Sequence, residues 1–272
     1  MITNVLRAVL LLAVLGLSGC SLSKLEKSLL YQPSSEFVGN WEPPAAIGFE
    51  EAHFTTDDGV ALHGWFKDVP ERRAVVLFMH GNAGNVATWA GSAHGLSDRE
   101  RVAILVFDYR GYGKSTGLPD EAGIYADARA ARSWLARRTQ IREEDVVLLG
   151  RSLGGGVAVQ LASELPPRGL ILMNTFTSAP AAAQSFFPLV PTSWIMTQRY
   201  DSLSKIGKYE GPLLMTHGEK DKVIPVAQGK ALYAAAGSTQ KQLILDPAGG
   251  HNDPPTEEYL TALSEFWGKL GR

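Results

Sequence analysis

The length and charge of the chain limit the classes of protein to which it can belong. A chain of 272 residues can enclose a sizeable core, as one large α/β domain or as two small ones. Charged residues make up 20% of the chain, its formal net charge is -2, and no basic patch stands out. These features argue against a nucleic-acid-binding protein.

Residues 1–19 are predicted to be a signal peptide that does not belong to the fold. One positive charge precedes the apolar run AVLLLAVLGL, which is short for a transmembrane helix. The run ends in LSGC, which resembles the bacterial lipobox, where cleavage precedes a cysteine that is then lipidated. Cys20 is the only cysteine of the chain, so it stands where this processing needs it and no intramolecular disulfide can form. An ordinary signal peptide or an uncleaved anchor is the alternative.

The lipobox resemblance implies a lipid-anchored protein of the bacterial cell envelope. Several acyl chains on Cys20 would hold it firmly, because each buried CH₂ contributes roughly 0.8 kcal/mol. Ser21 rather than aspartate follows the cysteine, and by resemblance to Gram-negative lipoproteins this favours the outer membrane, facing the periplasm. Residues 20–48 would then be a lipidated tether. Within it, LSKLEKSLLY predicts a short amphipathic helix that packs on its own domain or touches the membrane through Leu25, Leu29 and Leu30.

Residues 49–272 are predicted to form one α/β domain. EAHFTTDDGVALHGWF reads as an antiparallel hairpin with an Asp58-Gly59 turn. Continuous apolar strands follow, as in a sheet buried on both faces. They alternate with helices expected at about 86–96, 121–138, after residue 152, near 226–236 and at 257–270. This alternation implies a doubly wound, mostly parallel sheet.

The segment at about 175–209 breaks the alternation and is predicted to be a short cap after the sixth strand. It is rich in Phe, Trp, Met and Pro, and it follows a strand at the end of the sheet where ligands bind. Its apolar side chains either line an acyl or aromatic pocket or only pin the cap to the domain. They are Phe176, Phe186, Phe187, Trp194 and Met196.

The stretch VVLLGRSLGGG, residues 146–156, is expected to carry a nucleophile. Its apolar run leads into Gly-x-Ser-x-Gly and then into a helical pattern, the strand–turn–helix context of a nucleophile elbow. The turn is sharp and strained at Ser152, and only small residues such as Gly150 and Gly154 fit beside it. Without its flanking elements the motif would predict no more than a turn.

A serine nucleophile needs a base and an acid that orients the base, and in this topology they follow in the order Ser, Asp or Glu, His. Of six histidines, His251 lies on a flexible loop after the last strand and is the expected base. Asp221 follows a strand in HGEKDKVIP and is the expected acid, with Glu219 as its rival. His217 precedes both acids and is expected to support their loop.

Two backbone N–H groups are expected to form an oxyanion hole, because negative charge develops on the carbonyl oxygen during acyl transfer. One belongs to Leu153, directly after the nucleophile, and the other to Asn82, with Ala83 as the alternative. HGNAGN could also be a phosphate-binding turn, but it lacks the Gly-Lys-Ser/Thr of a P-loop. Asp108 and Arg110 are expected to brace loops.

Five motifs together resemble the α/β-hydrolase fold: GRSLGG, HGNAGN, DYRGYGKS, HGEKDKVIP and GGHND. The chain is most similar to the small-cap serine-aminopeptidase-like branch, which includes membrane-associated protein depalmitoylases. LLYQPS before the first strand is also similar to that branch. The resemblance spans residues 29–272 and implies the fold and a Ser152, Asp221 and His251 triad. It does not fix the substrate, because the branch holds esterases, thioesterases and peptidases.

The expected function is a serine hydrolase that cleaves an ester or thioester of an apolar acyl group through an acyl-Ser152 intermediate. Its partners would be a small-molecule or acylated substrate and, through Cys20, a membrane. No metal or organic cofactor is expected. The alternatives are a peptidase or amidase, an acyltransferase with the same triad, or a non-catalytic envelope lipoprotein. The sequence does not fix the oligomeric state.

Overall fold

The computed structural model describes residues 19–35, 38–39, 41 and 44–270. Residues 1–18, which carry most of the expected signal peptide, lie outside the described residues. Cys20 is the second residue of the first described helix. Within the described part of the chain, no helix combines the length and the apolar character needed to span a bilayer.

The centre of the molecule is an eight-stranded sheet with the strand order β10-β9-β8-β7-β4-β6-β3-β2. Its strands are β2 (Glu50–Thr55), β3 (Ala61–Lys67), β4 (Ala74–Met79), β6 (Val102–Phe107), β7 (Val147–Arg151), β8 (Gly169–Met173), β9 (Leu213–Gly218) and β10 (Lys241–Asp246). Two very short strands, β1 (Gln32–Pro33) and β5 (Ala83–Gly84), pair in parallel outside it.

Helices cover both faces of this sheet. The α-helices of the described residues are α1 (Gly19–Leu30), α2 (Val86–Glu100), α3 (Glu121–Thr139), α4 (Leu153–Glu164), α5 (Ala179–Phe186), α6 (Thr192–Ile195), α7 (Val226–Ala235) and α8 (Glu257–Lys269). Short 3-10 helices occur at Pro44–Ile47, Glu143–Asp145 and Ile206–Lys208. The core on one face includes side chains of α3, α4 and α7, and the core on the other includes side chains of α2 and α8.

The sheet has the direction pattern that the sequence predicted. β2 and β3 form the antiparallel hairpin, and β3 pairs antiparallel with β6. Every other pair of neighbouring strands in the sheet is parallel. Every residue of β4 and β6 is buried, because helices cover both faces there and leave no solvated side. The predicted doubly wound, mostly parallel fold is therefore confirmed.

One helix boundary was predicted wrongly. α2 was expected to end near residue 96, where the polar run SDRE begins, but it continues to Glu100. Ser97 and Glu100 are buried on the inner face of this last turn, so the turn packs although its residues are polar. Arg101 ends the helix in the left-handed region at φ 53°, with its N–H bonded to the Ser97 carbonyl.

The N-terminal helix packs on the cap segment. The Glu26 carboxylate accepts hydrogen bonds from the Thr197 N–H at 2.8 Å and the Gln198 N–H at 2.7 Å. The Tyr31 hydroxyl donates to Gln198 Oε1 at 2.9 Å. Leu30 packs against the core, whereas Leu25 and Leu29 remain 40% and 58% exposed. The helix therefore packs on its own domain through one face, and its other face, with Leu25 and Leu29, is exposed.

Candidate active site

Ser152 lies at the turn between β7 and α4, at the carboxyl end of the sheet. β7 ends at Arg151 and α4 begins at Leu153, which leaves Ser152 as the single connecting residue, with φ 52° and ψ -117°. A side chain at Gly150 would collide with the backbone of Gly154. Such a backbone costs on the order of 1–3 kcal/mol and persists only where packing enforces it. The turn places Ser152 Oγ within 3.1 Å of His251 Nε2.

Ser152, His251 and Asp221 come together although they are far apart in the chain. His251 Nε2 lies 3.1 Å from Ser152 Oγ, and His251 Nδ1 lies 2.7 Å from Asp221 Oδ2. With its proton on Nδ1, the imidazole donates to the carboxylate and accepts from the hydroxyl, which is the arrangement that a general base requires. The chain of hydrogen bonds therefore links a serine, a base and an acid in the expected order.

Asp221 is held as a buried carboxylate. Its Oδ1 accepts the N–H groups of Val223 and Ile224, both at 2.8 Å. Burial opposes its ionisation, but interactions with His217 and His251 and the bond from the Ile224 N–H outweigh burial and hold the pKa of Asp221 well below its usual range. Asp221 is thus ionised at neutral pH and able to stabilise a protonated His251.

The rival acid lies at the surface. The Glu219 carboxylate pairs with Lys230 Nζ at 3.2 Å, and its side chain is 37% exposed. His217, which precedes both acids, has Nε2 at 2.8 Å from the Ile224 carbonyl oxygen and at 3.5 Å from Asp221 Oδ2. His217 therefore lies beneath the loop that carries Asp221, as its expected supporting role requires.

The HGNAGN loop runs beside the nucleophile. A Cβ placed on Gly81 would lie 3.6 Å from the Ser152 Cβ. The loop is fixed by Asn82, whose side chain donates to the Leu30 carbonyl at 2.9 Å and whose own carbonyl accepts from the Tyr112 hydroxyl at 2.8 Å. The backbone N–H of Asn82, the expected second oxyanion donor, belongs to the residue that follows Gly81 on this loop. Leu153 opens α4, so its N–H is one of the helix's first donors, which have no intrahelical partner.

His80, at the start of this loop, is fully buried and sits in an aromatic cluster. Its Nδ1 lies 2.6 Å from the Gly81 carbonyl oxygen. Its ring stacks on Trp89 and lies 4.5 Å from the Tyr109 ring centroid. Burial lowers the pKa of His80, which keeps it neutral at pH 7. His80 therefore supports the HGNAGN loop.

The two charged residues after β6 brace loops as expected. Asp108 Oδ1 accepts the Val86 N–H at 2.8 Å, at the first residue of α2. The Arg110 guanidinium pairs with Asp127 at 2.8 Å and with Asp58 at 2.9 Å. These contacts connect the hairpin, α2 and α3 behind the loop that passes Ser152.

Two residues that the sequence analysis did not single out hold the His251 loop. Asn174 Nδ2 and Arg151 Nη2 both donate to the His251 carbonyl, at 2.8 Å and 2.9 Å. Asn174 Oδ1 also accepts the Gly218 N–H at 3.1 Å, so one side chain connects the end of β9 with the histidine loop. A polar residue directly after an apolar strand was the available signal for Asn174. For Arg151, the variable position of the nucleophile motif, the sequence offered none.

The five apolar cap residues do not share one environment. Phe176 is 4% exposed and packs edge-on to Tyr200 inside the core, and Met196 is half-buried against the same core. Trp194 is 88% exposed and Phe186 is 50% exposed, while Phe187 is half-buried. The structure therefore does not bring the five side chains together as one pocket wall.

The described residues contain no group of three or more His, Cys, Asp or Glu side chains arranged to hold a metal ion.

Comparison with known proteins agrees with this architecture. Residues 74–197 match the family model described as alpha/beta hydrolase fold. The chain is 34% identical over 234 residues to an uncharacterized protein of Mycobacterium tuberculosis, covering 84% of this chain and 81% of that protein. It is 31% identical over 265 residues to the alpha/beta hydrolase domain-containing protein WAV2 of Arabidopsis thaliana, covering 89% and 85%. The Pyrococcus furiosus esterase Pf2001 superposes with a TM-score of 0.72 at 20% identity, covering 88% of this chain and 100% of that one.

Proposed function

Because the chain belongs to the α/β-hydrolase fold family, we propose that it is a serine hydrolase that cleaves an ester or thioester of an apolar acyl group. The observation that carries the proposal is the unbroken chain of hydrogen bonds from Ser152 Oγ through His251 to the ionised Asp221, at 3.1 Å and 2.7 Å. A strained serine at an elbow with a buried acid behind its histidine has the geometry of nucleophilic acyl transfer.

In the first half of the reaction, Ser152 Oγ attacks the acyl carbon while its proton moves to His251 Nε2. Asp221 keeps His251 in the tautomer that accepts this proton and stabilises the imidazolium. The N–H groups of Leu153 and Asn82 receive the oxyanion, and each such donor is worth about 3 kcal/mol in related sites. The tetrahedral intermediate then collapses, the proton on Nε2 passes to the leaving alcohol or thiol, and acyl-Ser152 remains.

In the second half, water takes the place of the leaving group. His251 Nε2 removes a proton from a water molecule, whose oxygen attacks the acyl carbon of acyl-Ser152. Collapse of the second tetrahedral intermediate breaks the bond to Oγ and returns the proton from Nε2 to it. The products are a carboxylic acid and the free serine, so the cycle consumes only water.

Contacts at the cap leave few carboxylates free to bind the amino terminus of a peptide. An aminopeptidase needs a carboxylate free to bind the substrate ammonium group. Two acids packed against the cap, Glu121 and Glu26, are already engaged, and Asp201 within the cap accepts the Ser204 N–H at 3.3 Å, whereas Glu210 directly after the cap is exposed. Glu121 accepts the Arg199 N–H and the Tyr200 N–H, and Glu26 accepts two backbone N–H groups of the cap. The Pyrococcus furiosus protein with a similar fold is named an esterase, which is consistent with ester cleavage by this chain.

We also propose that lipidated Cys20 anchors the protein to the periplasmic side of the bacterial outer membrane. The proposal is supported by the LSGC sequence that ends the apolar run. Cys20→Ser should release the protein from membranes in a carbonate wash, and a variant that stays bound would show that the lipid is not the sole anchor.

Hydrolysis of p-nitrophenyl esters of increasing acyl length tests the enzymatic proposal. We expect turnover with a clear preference for one range of acyl length, and loss of turnover in Ser152→Ala. Turnover of a matched p-nitroanilide but of no ester would identify an amidase instead. Turnover that survives Ser152→Ala would show that another residue is the nucleophile.

A further inference from the structure

Large apolar side chains are exposed on three neighbouring segments around α1 and the cap. We call this set the apolar rim. Their exposed fractions run from 40% to 88%. Single exposed apolar residues are common on protein surfaces, whereas several on neighbouring segments are typical of an interaction surface. The rim consists of Leu25, Leu29, Leu118, Trp194 and Ile195.

Hydrogen bonds hold the three segments of the rim together. On α1, Leu25 and Leu29 are four residues apart and so share one face of the helix. Glu26 binds the Thr197 N–H, and Ile195 is only two residues before Thr197. Chain geometry therefore keeps the Ile195 Cα within about 7 Å of the Thr197 Cα.

The third segment, the loop of Leu118, is also joined to α1. Lys27 Nζ pairs with the Asp120 carboxylate at 3.2 Å, and Leu118 is two residues before Asp120. Chain geometry therefore keeps the Leu118 Cα within about 7 Å of the Asp120 Cα. α1 thus contacts both the loop of Leu118 and the cap, which also contact each other through Glu121. All three are at the carboxyl edge of the sheet, the edge that carries Ser152.

The position of Cys20 identifies the surface that would cover this rim. Along α1 the rise of 1.5 Å per residue places Leu25 about 8 Å and Leu29 about 14 Å from Cys20. Acyl chains on Cys20 would hold the helix this close to the lipid headgroups, within reach of the rim. Tryptophan is favoured at that depth, because its ring is apolar and its N–H is polar.

Cationic side chains border the rim, as expected for a surface that meets anionic headgroups. Lys24 is exposed and directly precedes Leu25 on α1. Arg199 is exposed and donates from Nη1 to the Ser193 carbonyl at 2.8 Å, next to Trp194. Both have long aliphatic stems that can lie along lipid while the charge reaches the phosphate groups.

We propose that the apolar rim docks the protein on a phospholipid bilayer, with the edge of the sheet that holds Ser152 turned towards the lipid. The proposal rests on the lipid anchor at Cys20 proposed above. Docking presents the site to amphiphilic acyl esters dissolved in the bilayer, so that an acyl chain need not cross water to reach the serine.

Spin labels on single cysteines test the docking. The full chain is produced with its leader in a Gram-negative host and reconstituted into vesicles of phosphatidylethanolamine and phosphatidylglycerol. Labels are attached to Leu29→Cys, Leu118→Cys and Ile195→Cys. The matched control is Arg137→Cys, which is exposed near the far end of α3, a helix of 19 residues and so about 28 Å long. Thermal unfolding checks that each variant is folded.

The readout is the collision rate of each label with oxygen, which concentrates in lipid, and with a nickel chelate, which stays in water. We expect the ratio of oxygen to nickel collisions to be several-fold higher at the three rim positions than at residue 137. Equal ratios at all four positions would overturn the docking. Rim labels shielded from both reagents and coupled to one another would overturn it in favour of a second copy of the chain.

Labelling of the unmutated chain tests the lipid anchor separately from the docking that rests on it. A lipidated Cys20 has no free thiol, so the unmutated chain should take up no label. Label uptake at Cys20 would overturn the anchor and the docking together. An unlabelled Cys20 with water-exposed rim positions would overturn the docking alone. Neither outcome affects the serine chemistry, which soluble esters test separately.

Discussion

Asp221→Asn is the substitution that separates the role of the acid from the stability of its loop. In the wild type, Oδ1 accepts the N–H groups of Val223 and Ile224, and Oδ2 faces His251 Nδ1. In the variant the amide oxygen must stay on the two N–H groups, because an NH₂ group there would face two donors. The NH₂ group is then opposite His251 Nδ1, which has to become the acceptor.

This change of tautomer moves the imidazole proton to Nε2, where it points at Ser152 Oγ. An Nε2 that carries a proton cannot accept the serine proton, so the base is lost although no heavy atom has moved. In a serine protease the same substitution lowers kcat about 10⁴-fold, which corresponds to about 5.4 kcal/mol of transition-state stabilisation. We expect a loss of that order for Asp221→Asn.

The assay is kcat for a p-nitrophenyl ester at neutral pH, with Glu219→Gln as the matched control. Glu219 is the other acid of the loop and pairs with Lys230 at the surface, so the control should keep nearly the wild-type rate. A kcat for Asp221→Asn within tenfold of the wild type would refute the tautomer argument. A large loss in Glu219→Gln instead would move the role of the acid to Glu219.

The same carboxylate makes stability depend on pH. The pKa of Asp221 is lowered in the folded protein, so the folded state favours the ionised form more than the unfolded state does. The resulting stability is present above the ordinary aspartate pKa, about 3.9, and is lost as pH falls towards the folded pKa. Urea unfolding between pH 6 and pH 3 should therefore show a shallower decline of stability in Asp221→Asn. Parallel declines in both proteins would contradict the lowered pKa.

Two further substitutions test the elements that position the site. Asn174→Ala leaves the Gly218 N–H and the His251 carbonyl without this partner. We therefore expect a loss of about 1–3 kcal/mol of stability in urea unfolding and a lower kcat in ester turnover. An unchanged kcat would mean that Arg151 alone holds the histidine loop. Gly150→Ala places a methyl group against the backbone of Gly154 and should lower the free energy of unfolding by about 1–3 kcal/mol. The control Gly91→Ala lies in open space on α2 and should raise it by up to about 1 kcal/mol. Equal unfolding midpoints for the two variants would show that the elbow is not tightly packed.

Local patterns were sufficient to predict the fold. Strands β4 and β6 are apolar at every position, and the motif around Ser152 joins such a strand directly to a helix. These features are encoded in neighbouring residues, and the topology then restricts which later loops can reach the serine. For that reason Asp221 and His251 could be selected from the order of the motifs before any distance was known.

Contacts between distant segments could not be predicted in the same way. The bonds from Asn174 and Arg151 to the His251 carbonyl join three loops at the ends of β7, β8 and β10. Their existence depends on the order of strands in the sheet, which side-chain periodicity does not encode. The same holds for Glu26 on α1, whose partners in the cap are 171 and 172 residues away.

The cap shows most clearly which contacts cannot be predicted from composition. Its sequence is uniformly rich in large apolar residues, yet Phe176 is buried in the core and Trp194 is 88% exposed. The composition predicts that such side chains leave water, but not which surface covers them. Phe176 lies between β8 and α5 and packs inwards, whereas Trp194 lies on α6 and remains in the apolar rim.

The central claim is that Ser152 is a nucleophile activated by His251, and covalent labelling tests it most directly. The full chain is treated with a fluorophosphonate, digested, and analysed by mass spectrometry. We predict one phosphonylated residue, Ser152, with labelling strongly slowed in His251→Ala and absent in Ser152→Ala. No adduct on Ser152, or an equal labelling rate without the histidine, would contradict the account.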